Sequence, residues 1–336
     1  MTNEDPEAIS LAATGRQRAR WRRWLSGLVL AASSAYISWF FITNTEELRR
    51  LSEFSMGSAL GILALQVLYL VPQAARYRLI LGVRTQSQVD APEWFRLFVV
   101  GRLLNNVIPQ GGNLYRSAQL KSKGAMDYST YVGGFLTFTW LSLSITILLA
   151  LGVTAVANPG LQLGSTPVVA ILGLSFLVVV LGPYAATKLI GLLPTSSSRS
   201  LLARTQYILG QAFAMPRDLK VLFVFAALSI LSLGIAVAIV QLILDGLSSD
   251  IGLGEAVLFL ALMQASSAIN VTPSNLGVQE LGFAGLAGGL GIGIGTGLLA
   301  GSLVRVSGVV ALIIAAAGAQ LSRSTQTRFK FGARAD

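Results

Sequence analysis

Charged residues are absent from several long runs of the chain: Leu25 to Ile42, Phe54 to Ala75, Tyr128 to Thr187, Val221 to Leu244, Ala256 to Gln279 and Val306 to Ser322. A helix needs about 20 apolar residues to cross about 30 Å of hydrocarbon, so most of these runs are long enough to span a membrane. Tyr128 to Thr187 is long enough for two helices. Two segments do not fit as simple spans. Pro92 to Leu120 carries Arg96, Arg102 and Arg116 and breaks at NNVIPQGG, and Glu255 to about Leu290 breaks at NVTPSNLG. A single crossing by the first would bury charge and unpaired backbone at bilayer depth. A hairpin that enters and leaves on one side avoids both costs.

Loop charge orients the chain, because Lys and Arg collect in short cytoplasmic connections. Arg16, Arg18, Arg20, Arg22 and Arg23 precede the first run, with Trp21 and Trp24 as interfacial anchors. Arg76, Arg78 and Arg84 follow the second run, and Lys121 and Lys123 follow the first broken segment. Lys188, Arg199, Arg204, Arg217 and Lys220 fill the connection before Val221, and Arg323, Arg328, Lys330 and Arg334 form the tail. The outer loops are then Thr43 to Glu53, the uncharged Asn158 to Thr166, and the acidic Asp245 to Glu255. The first hairpin therefore enters from the cytoplasm and the second from outside.

The expected architecture is an all-α polytopic membrane protein with about six full spans and two oppositely oriented re-entrant hairpins in an inverted repeat. Residues 1–24 form a basic cytoplasmic N-terminal segment, and 25–157 the first membrane repeat, with its hairpin at about 92–120. The inverted second repeat is 158–320, with its hairpin at about 255–290, and 321–336 is a basic cytoplasmic tail. The expected location is the cytoplasmic, or inner, membrane, with both termini in the cytoplasm.

Composition narrows the chemistry. The chain is 53% hydrophobic and 12% charged, against about 25% charged residues in soluble domains, and its mean hydropathy is +0.67. It contains no cysteine and no histidine, which removes disulfides, thiolate nucleophiles, Cys/His metal sites and triads built on imidazole. The net charge of +10 lies between apolar spans rather than in a stripe, which is not the footprint of nucleic acid binding. No cofactor and no metal is expected. The run GFAGLAGGLGIGIGTGLLAG has no nucleotide-loop register or lysine, and its small residues suit close helix packing.

Aligning the two breaks on their prolines brings out the repeat. Asn106 stands three residues before Pro109, and Asn270 three before Pro273. Gly111 and Gly112 follow in one, Gly277 in the other, and a lone charge comes seven residues after each proline: Arg116 and Glu280. Glu93 and Glu255 open the two entering arms. Inverted repeats with broken helices at the midplane are a recurrent transporter architecture.

A break at bilayer depth frees amides and carbonyls, which neighbours, water or a ligand must satisfy. Asn105, Asn106, Gln110, Asn113, Asn270, Thr272, Ser274 and Asn275 supply polar groups there, either as turn caps or as ligand contacts. Arg102, Arg116, Glu280 and Arg305 each need a partner or a wet cavity, since such a charge costs about 2.5 to 3.5 kcal/mol on insertion scales. Arg116 and Glu280 are expected to approach each other across a pseudo-twofold axis, as a static bridge or as the lining of a polar cavity. Surplus guanidinium matches a phosphate through two parallel hydrogen bonds. The expected partner is a membrane phospholipid or a polyprenyl-phosphate lipid, and a homo-oligomer stays open.

NNVIPQGGNLYR, NVTPSNLGVQE and Arg305 in the closing span resemble the flippase-like family that includes the transmembrane region of lysylphosphatidylglycerol synthases. The resemblance covers about Leu25 to Leu321 and implies lipid translocation between leaflets, with Arg116, Glu280 and Arg305 matching the family's charges. The chain departs at Asn113 and Gln279, where many members carry an acidic and a basic residue. No soluble synthase domain is present in the sequence, so aminoacyl transfer is not expected. The rival readings are a membrane-embedded lipid phosphatase, an ion-coupled small-solute carrier and a membrane assembly factor. The topology is checked with single cysteines: an impermeant thiol reagent on intact cells should label Asp250→Cys and leave Lys121→Cys and Arg199→Cys unlabelled.

Overall fold

The structure, a computed structural model, describes residues 45–52, 54–85, 89–192, 218–269 and 275–332, with isolated positions between 35 and 43 and at 210. The basic N-terminal segment 1–24, nearly all of the expected span from Leu25 to Ile42, and Asn270, Pro273 and Ser274 lie outside the described residues. In chain order the elements are α1 (Thr45–Ser52), α2 (Met56–Gly82), α3 (Ala91–Val107), α4 (Gly111–Ser122) and α5 (Tyr128–Ala157). A small antiparallel pair follows, β1 (Gln162–Leu163) and β2 (Thr166–Pro167). Then come α6 (Val168–Leu192), α7 (Leu219–Gly246), α8 (Leu253–Ile269), α9 (Val278–Gly289) and α10 (Ile294–Gly332). Among the described residues, α2, α5, α6 as far as Ala185, α7, and α10 as far as Gln320 are long and apolar enough to cross a membrane. The protein is all-α and multi-pass.

Local sequence sets the helix ends. Ser55 caps α2, its hydroxyl accepting from the Ser58 amide at 3.0 Å, and Asp218 caps α7 by accepting from the Lys220 amide at 2.9 Å. Asp90 with Pro92 opens α3, where a missing N–H costs nothing. Ile108 precedes Pro109 and is extended, because a following proline disfavours the helical region. Gln110 then takes a left-handed φ of 62°, and α4 begins at once at Gly111. The second break reverses through Asn275 (φ 53°) and Gly277 (φ 83°). The paired arms match in length: α3 and α8 each have 17 residues, α4 and α9 each 12.

Two glycines let α3 and α4 touch. A Cβ on Gly112 would lie 1.7 Å from the Gly101 carbonyl oxygen, and one on Gly101 would lie 2.2 Å from Arg116 Nε. The arms run antiparallel, the Asn105 side chain accepting from the Gly112 amide at 2.7 Å while Glu93 meets Lys123 at the open end. In the second pair, Leu262 covers Gly282 and Phe259 packs on Phe283 with centroids 4.9 Å apart.

The long helices hold these pairs in a reciprocal arrangement. α2 and α7 lie antiparallel: Phe54 sits on Gly246, Arg76 bonds Ser229 at 2.9 Å, and Ile80 shares a cluster with Phe225. α3 packs against α10, where Trp94, Leu97 and Phe98 meet Leu312, Ala315 and Ala316. α8 packs against α5, with Asn158 closing on Gly254. Each first arm thus leans on the helix that follows the other pair. α3 also runs antiparallel to α2, with Tyr77 edge-on to Trp94 at 6.0 Å and Arg102 over Tyr69 at 6.0 Å. Tyr69 is the midpoint residue of α2, so Arg102 lies level with the middle of that helix. The glycine-rich run packs as expected: a Cβ on Gly297 would meet the Phe283 carbonyl oxygen at 2.5 Å, and one on Gly301 the Glu280 Cα at 3.2 Å. Gly112→Ala should therefore lower stability by about 1 to 3 kcal/mol through overpacking. Gly61→Ala, which adds a methyl group to open space, should be tolerated; thermal unfolding in detergent measures both.

Candidate functional site

Arg116 is buried and reaches across its hairpin to the carbonyls of α3. Its Nε donates to the Leu97 carbonyl at 3.2 Å and its Nη2 to the Phe98 carbonyl at 3.0 Å. Nη1 donates to Asn113 Oδ1 at 3.3 Å. That amide oxygen also accepts from the Tyr131 hydroxyl at 3.1 Å, and the Tyr131 hydroxyl accepts from Tyr77 at 2.8 Å. The guanidinium lies over the rings of Tyr77 and Phe98, at 5.0 and 5.6 Å. These partners are dipoles and π faces, so they satisfy the N–H groups and leave the positive charge standing.

The second reversal balances its charge. Arg305 donates from Nε to Glu280 Oε1, and from Nη2 to Glu280 Oε2 and the Asn275 carbonyl, both at 3.0 Å. Glu280 Oε2 also accepts from the Gly277 amide at 2.8 Å, so this carboxylate caps the start of its own helix. The side chains are 13% and 5% exposed, burial that is tolerable because the remaining lone pairs and protons are also bonded. The expected approach of Arg116 to Glu280 is corrected here: Glu280 pairs with Arg305, and Arg116 bonds the neutral groups of its own hairpin. The shared offset from proline hides a difference in register. Glu280 is the third residue of α9 and faces the end of that helix, whereas Arg116 is the sixth of α4 and faces the opposing arm.

The other expected residues fall around these centres. Arg102 is half-buried, stacked over Tyr69 and, at 5.9 Å, over Phe98. Asn113 lies in the Arg116 network, and Asn106 is half-buried on the last turn of α3. Pro109 is exposed at the reversal, Gly111 opens α4, Gly112 makes the arm contact, and Gly277 caps α9. Sequence reasoning missed a polar stripe on α2. Gln66, Tyr69, Gln73 and Arg76 fall at steps of three and four residues, which is one face of a helix. Gln66 donates to the Val304 carbonyl and the Ser307 hydroxyl, both at 3.2 Å, beside Arg305. Gln73 accepts from Arg76 Nη2 at 2.5 Å. The spacing was present in the run from Phe54 to Ala75, where an uncharged composition masks it.

The acid of this hairpin is engaged elsewhere. Glu93 accepts from Arg96 at 2.8 and 2.7 Å and from Lys123. The Arg96 bonds above all, with help from Lys123 and against the effect of partial burial, lower its carboxyl to about 2. Glu93 is thus ionised and paired at the open end, far along the arm from Arg102 and Arg116. Among the described residues, no carboxylate bonds Arg76, Arg102 or Arg116. The chemistry of this arrangement suits an anion, and it carries no activated nucleophile among the described residues.

The chain belongs to the family of the lysylphosphatidylglycerol synthase TM region, whose family model matches residues 24–316. No curated protein and no solved structure matches it. Membership makes this a membrane protein associated with lipid handling, built on the transmembrane region of that family. The pairing of charges is checked by a double-mutant cycle on unfolding in detergent. Glu280→Gln and Arg305→Gln should each cost about 3 to 5 kcal/mol and combine non-additively, whereas Glu280→Gln and Arg116→Gln should add within about 0.5 kcal/mol.

Proposed function

We propose that the protein moves a phosphate-bearing lipid between the leaflets of the cytoplasmic membrane, exposing one polar groove alternately to each side. The observation that carries this reading is Arg102, level with the middle of α2, sharing the Phe98 ring with Arg116, with no carboxylate bonded to either among the described residues. Such charge is costly in hydrocarbon and is favourable beside a phosphate, which a guanidinium binds through two parallel hydrogen bonds.

The proposal includes an inverted repeat, with re-entrant hairpins at 92–120 and 255–290 and both termini in the cytoplasm. Supporting the repeat are the equal arm lengths, the antiparallel α2–α7 pair and the reciprocal packing of α3 on α10 and α8 on α5. In such a design the two halves exchange conformations about a central site. Val107, Ile108, Pro109 and Gln110 are exposed at the first reversal, which supports a groove open sideways to lipid. A headgroup could follow that groove while its tails stay in hydrocarbon. Arg102, Asn106, Asn113 and Arg116 are the proposed contacts on one side, with Asn270 and Ser274 on the other. Glu280 and Arg305 neutralise one another and join them as the support of the second reversal.

Reconstitution into vesicles tests the reading with labelled anionic phospholipids and a polyprenyl phosphate. The expected result is protein-dependent movement between leaflets that Arg116→Ala slows by at least about tenfold, the worth of one hydrogen bond to a charged group. Arg305→Ala should slow it as well, through loss of the second reversal. No movement of any of these lipids, with folded protein and gradients supplied, would overturn the proposal.

A further inference from the structure

We infer that Arg76, Arg102 and Arg116 form one site for a phosphate monoester borne by a lipid, a headgroup with two negative charges. The inference rests on the lipid-handling reading above and adds the charge class of the headgroup.

Arg76 was first grouped with the loop arginines, yet it is 3% exposed and belongs to the polar face of α2. Its Nη1 and Nη2 donate to Ser229 and Gln73, and its Nε is buried with no partner. Arg102 is held by the faces of Tyr69 and Phe98 alone, so among the described residues its five N–H groups meet no acceptor. Arg102 and Arg116 both lie over the Phe98 ring, at 5.9 and 5.6 Å. Arg76 stands about two turns along the same face of α2 from Tyr69, whose ring lies under Arg102 at 6.0 Å. The cluster is therefore a row of mutually repelling cations with Arg102 at its centre.

Among the described residues, no carboxylate bonds any member of the row. Glu93 is paired with Arg96 and Lys123, and Glu280 with Arg305. Asn113, the group that meets Arg116 from α4, brings an amide oxygen without a charge. A phosphodiester brings one negative charge, whereas a phosphate monoester carries about 1.5 to 2 at neutral pH. The monoester matches the row more closely. It also leaves its terminal oxygens free for the guanidinium fork, which binds phosphate in a bidentate manner. In this assignment Arg102 and Arg116 contact the phosphate, while Arg76, buried and oriented by its own hydrogen bonds, acts as a fixed charge behind them.

Binding to the full chain in detergent micelles tests the site, read by thermal stabilisation and by native mass spectrometry. The probes are phosphatidate as a monoester lipid, phosphatidylglycerol as a diester lipid, and inorganic phosphate. Phosphatidate should bind at least about tenfold more tightly than phosphatidylglycerol, a difference of about 1.4 kcal/mol, and more tightly than inorganic phosphate. Arg102→Gln should abolish that preference, Arg102→Lys should restore part of it, and the near-isosteric Asn113→Asp should narrow it by cancelling one charge. Arg96→Gln should leave it unchanged. Equal affinity for the two lipids, or a preference that survives both Arg102→Gln and Asn113→Asp, would overturn the site. Equal affinity for phosphatidate and inorganic phosphate would overturn the lipid as bearer. The two proposals fail separately. Phosphatidate bound but never moved would overturn transport alone, and diester lipid moved without any monoester preference would overturn this site alone.

Discussion

The need to satisfy charge and broken backbone inside hydrocarbon, with groups the chain itself supplies, governs this structure. A reversal between two paired helices leaves amides and carbonyls without helical partners. The two reversals meet this need in different ways. At the second, Glu280 takes the Gly277 amide and Arg305 takes the Asn275 carbonyl, and the two side chains then take each other. At the first, the Asn105 side chain takes the Gly112 amide, and Arg116 takes carbonyls of the facing arm. One reversal ends electrically neutral and the other positive.

Small residues make both solutions reachable. Arg116 can lie against the carbonyls of Leu97 and Phe98 because Gly101 leaves the space its Nε occupies. Gly112 brings the arms to backbone contact at the same level. On the other side, Gly297 and Gly301 let α10 approach α9 closely enough for Arg305 to meet Glu280. Helix association in a membrane gains little from the hydrophobic effect, so close packing and interhelical hydrogen bonds carry it. The glycine-rich run is thus the reason the buried ion pair has good geometry, and the ion pair in turn fixes where α10 sits.

The helices and their two reversals were legible in the sequence because they follow from short-range rules. Runs without charge, a proline that forces Ile108 out of the helix, and glycines beside it give α3, α4, α8 and α9 nearly to the residue. The partner of Glu280 was not legible. The alignment counted residues from proline, while pairing depends on where the helix restarts, two residues after Pro109 and five after Pro273. That difference turns Arg116 and Glu280 toward different neighbours. The α2 stripe was hidden for another reason: Gln66, Tyr69 and Gln73 are uncharged, and their meaning depends on Ser307, Arg102 and Arg76 arriving from other elements or later turns.

The asymmetry between the two reversals bears on the proposed transport, in which one site would serve both faces of a membrane. If both reversals were positive, the closed protein would hold repelling tips apart, and if both were neutral, nothing would draw an anion to the centre. Here one half is tied off by Glu280 and Arg305 and can act as a rigid support through α10. The other reversal keeps Arg102 and Arg116 over the Phe98 ring with no carboxylate bonded to either among the described residues. The α2 helix joins them, because Gln66 holds α10 at Val304 and Ser307 while Tyr69, one turn along, lies against Arg102. A displacement of the first hairpin relative to α2 would therefore move the row of guanidinium groups past a fixed neutral anchor. Such a shift would change the exposure of the positive charges without breaking the buried ion pair, whose loss would cost about 3 to 5 kcal/mol.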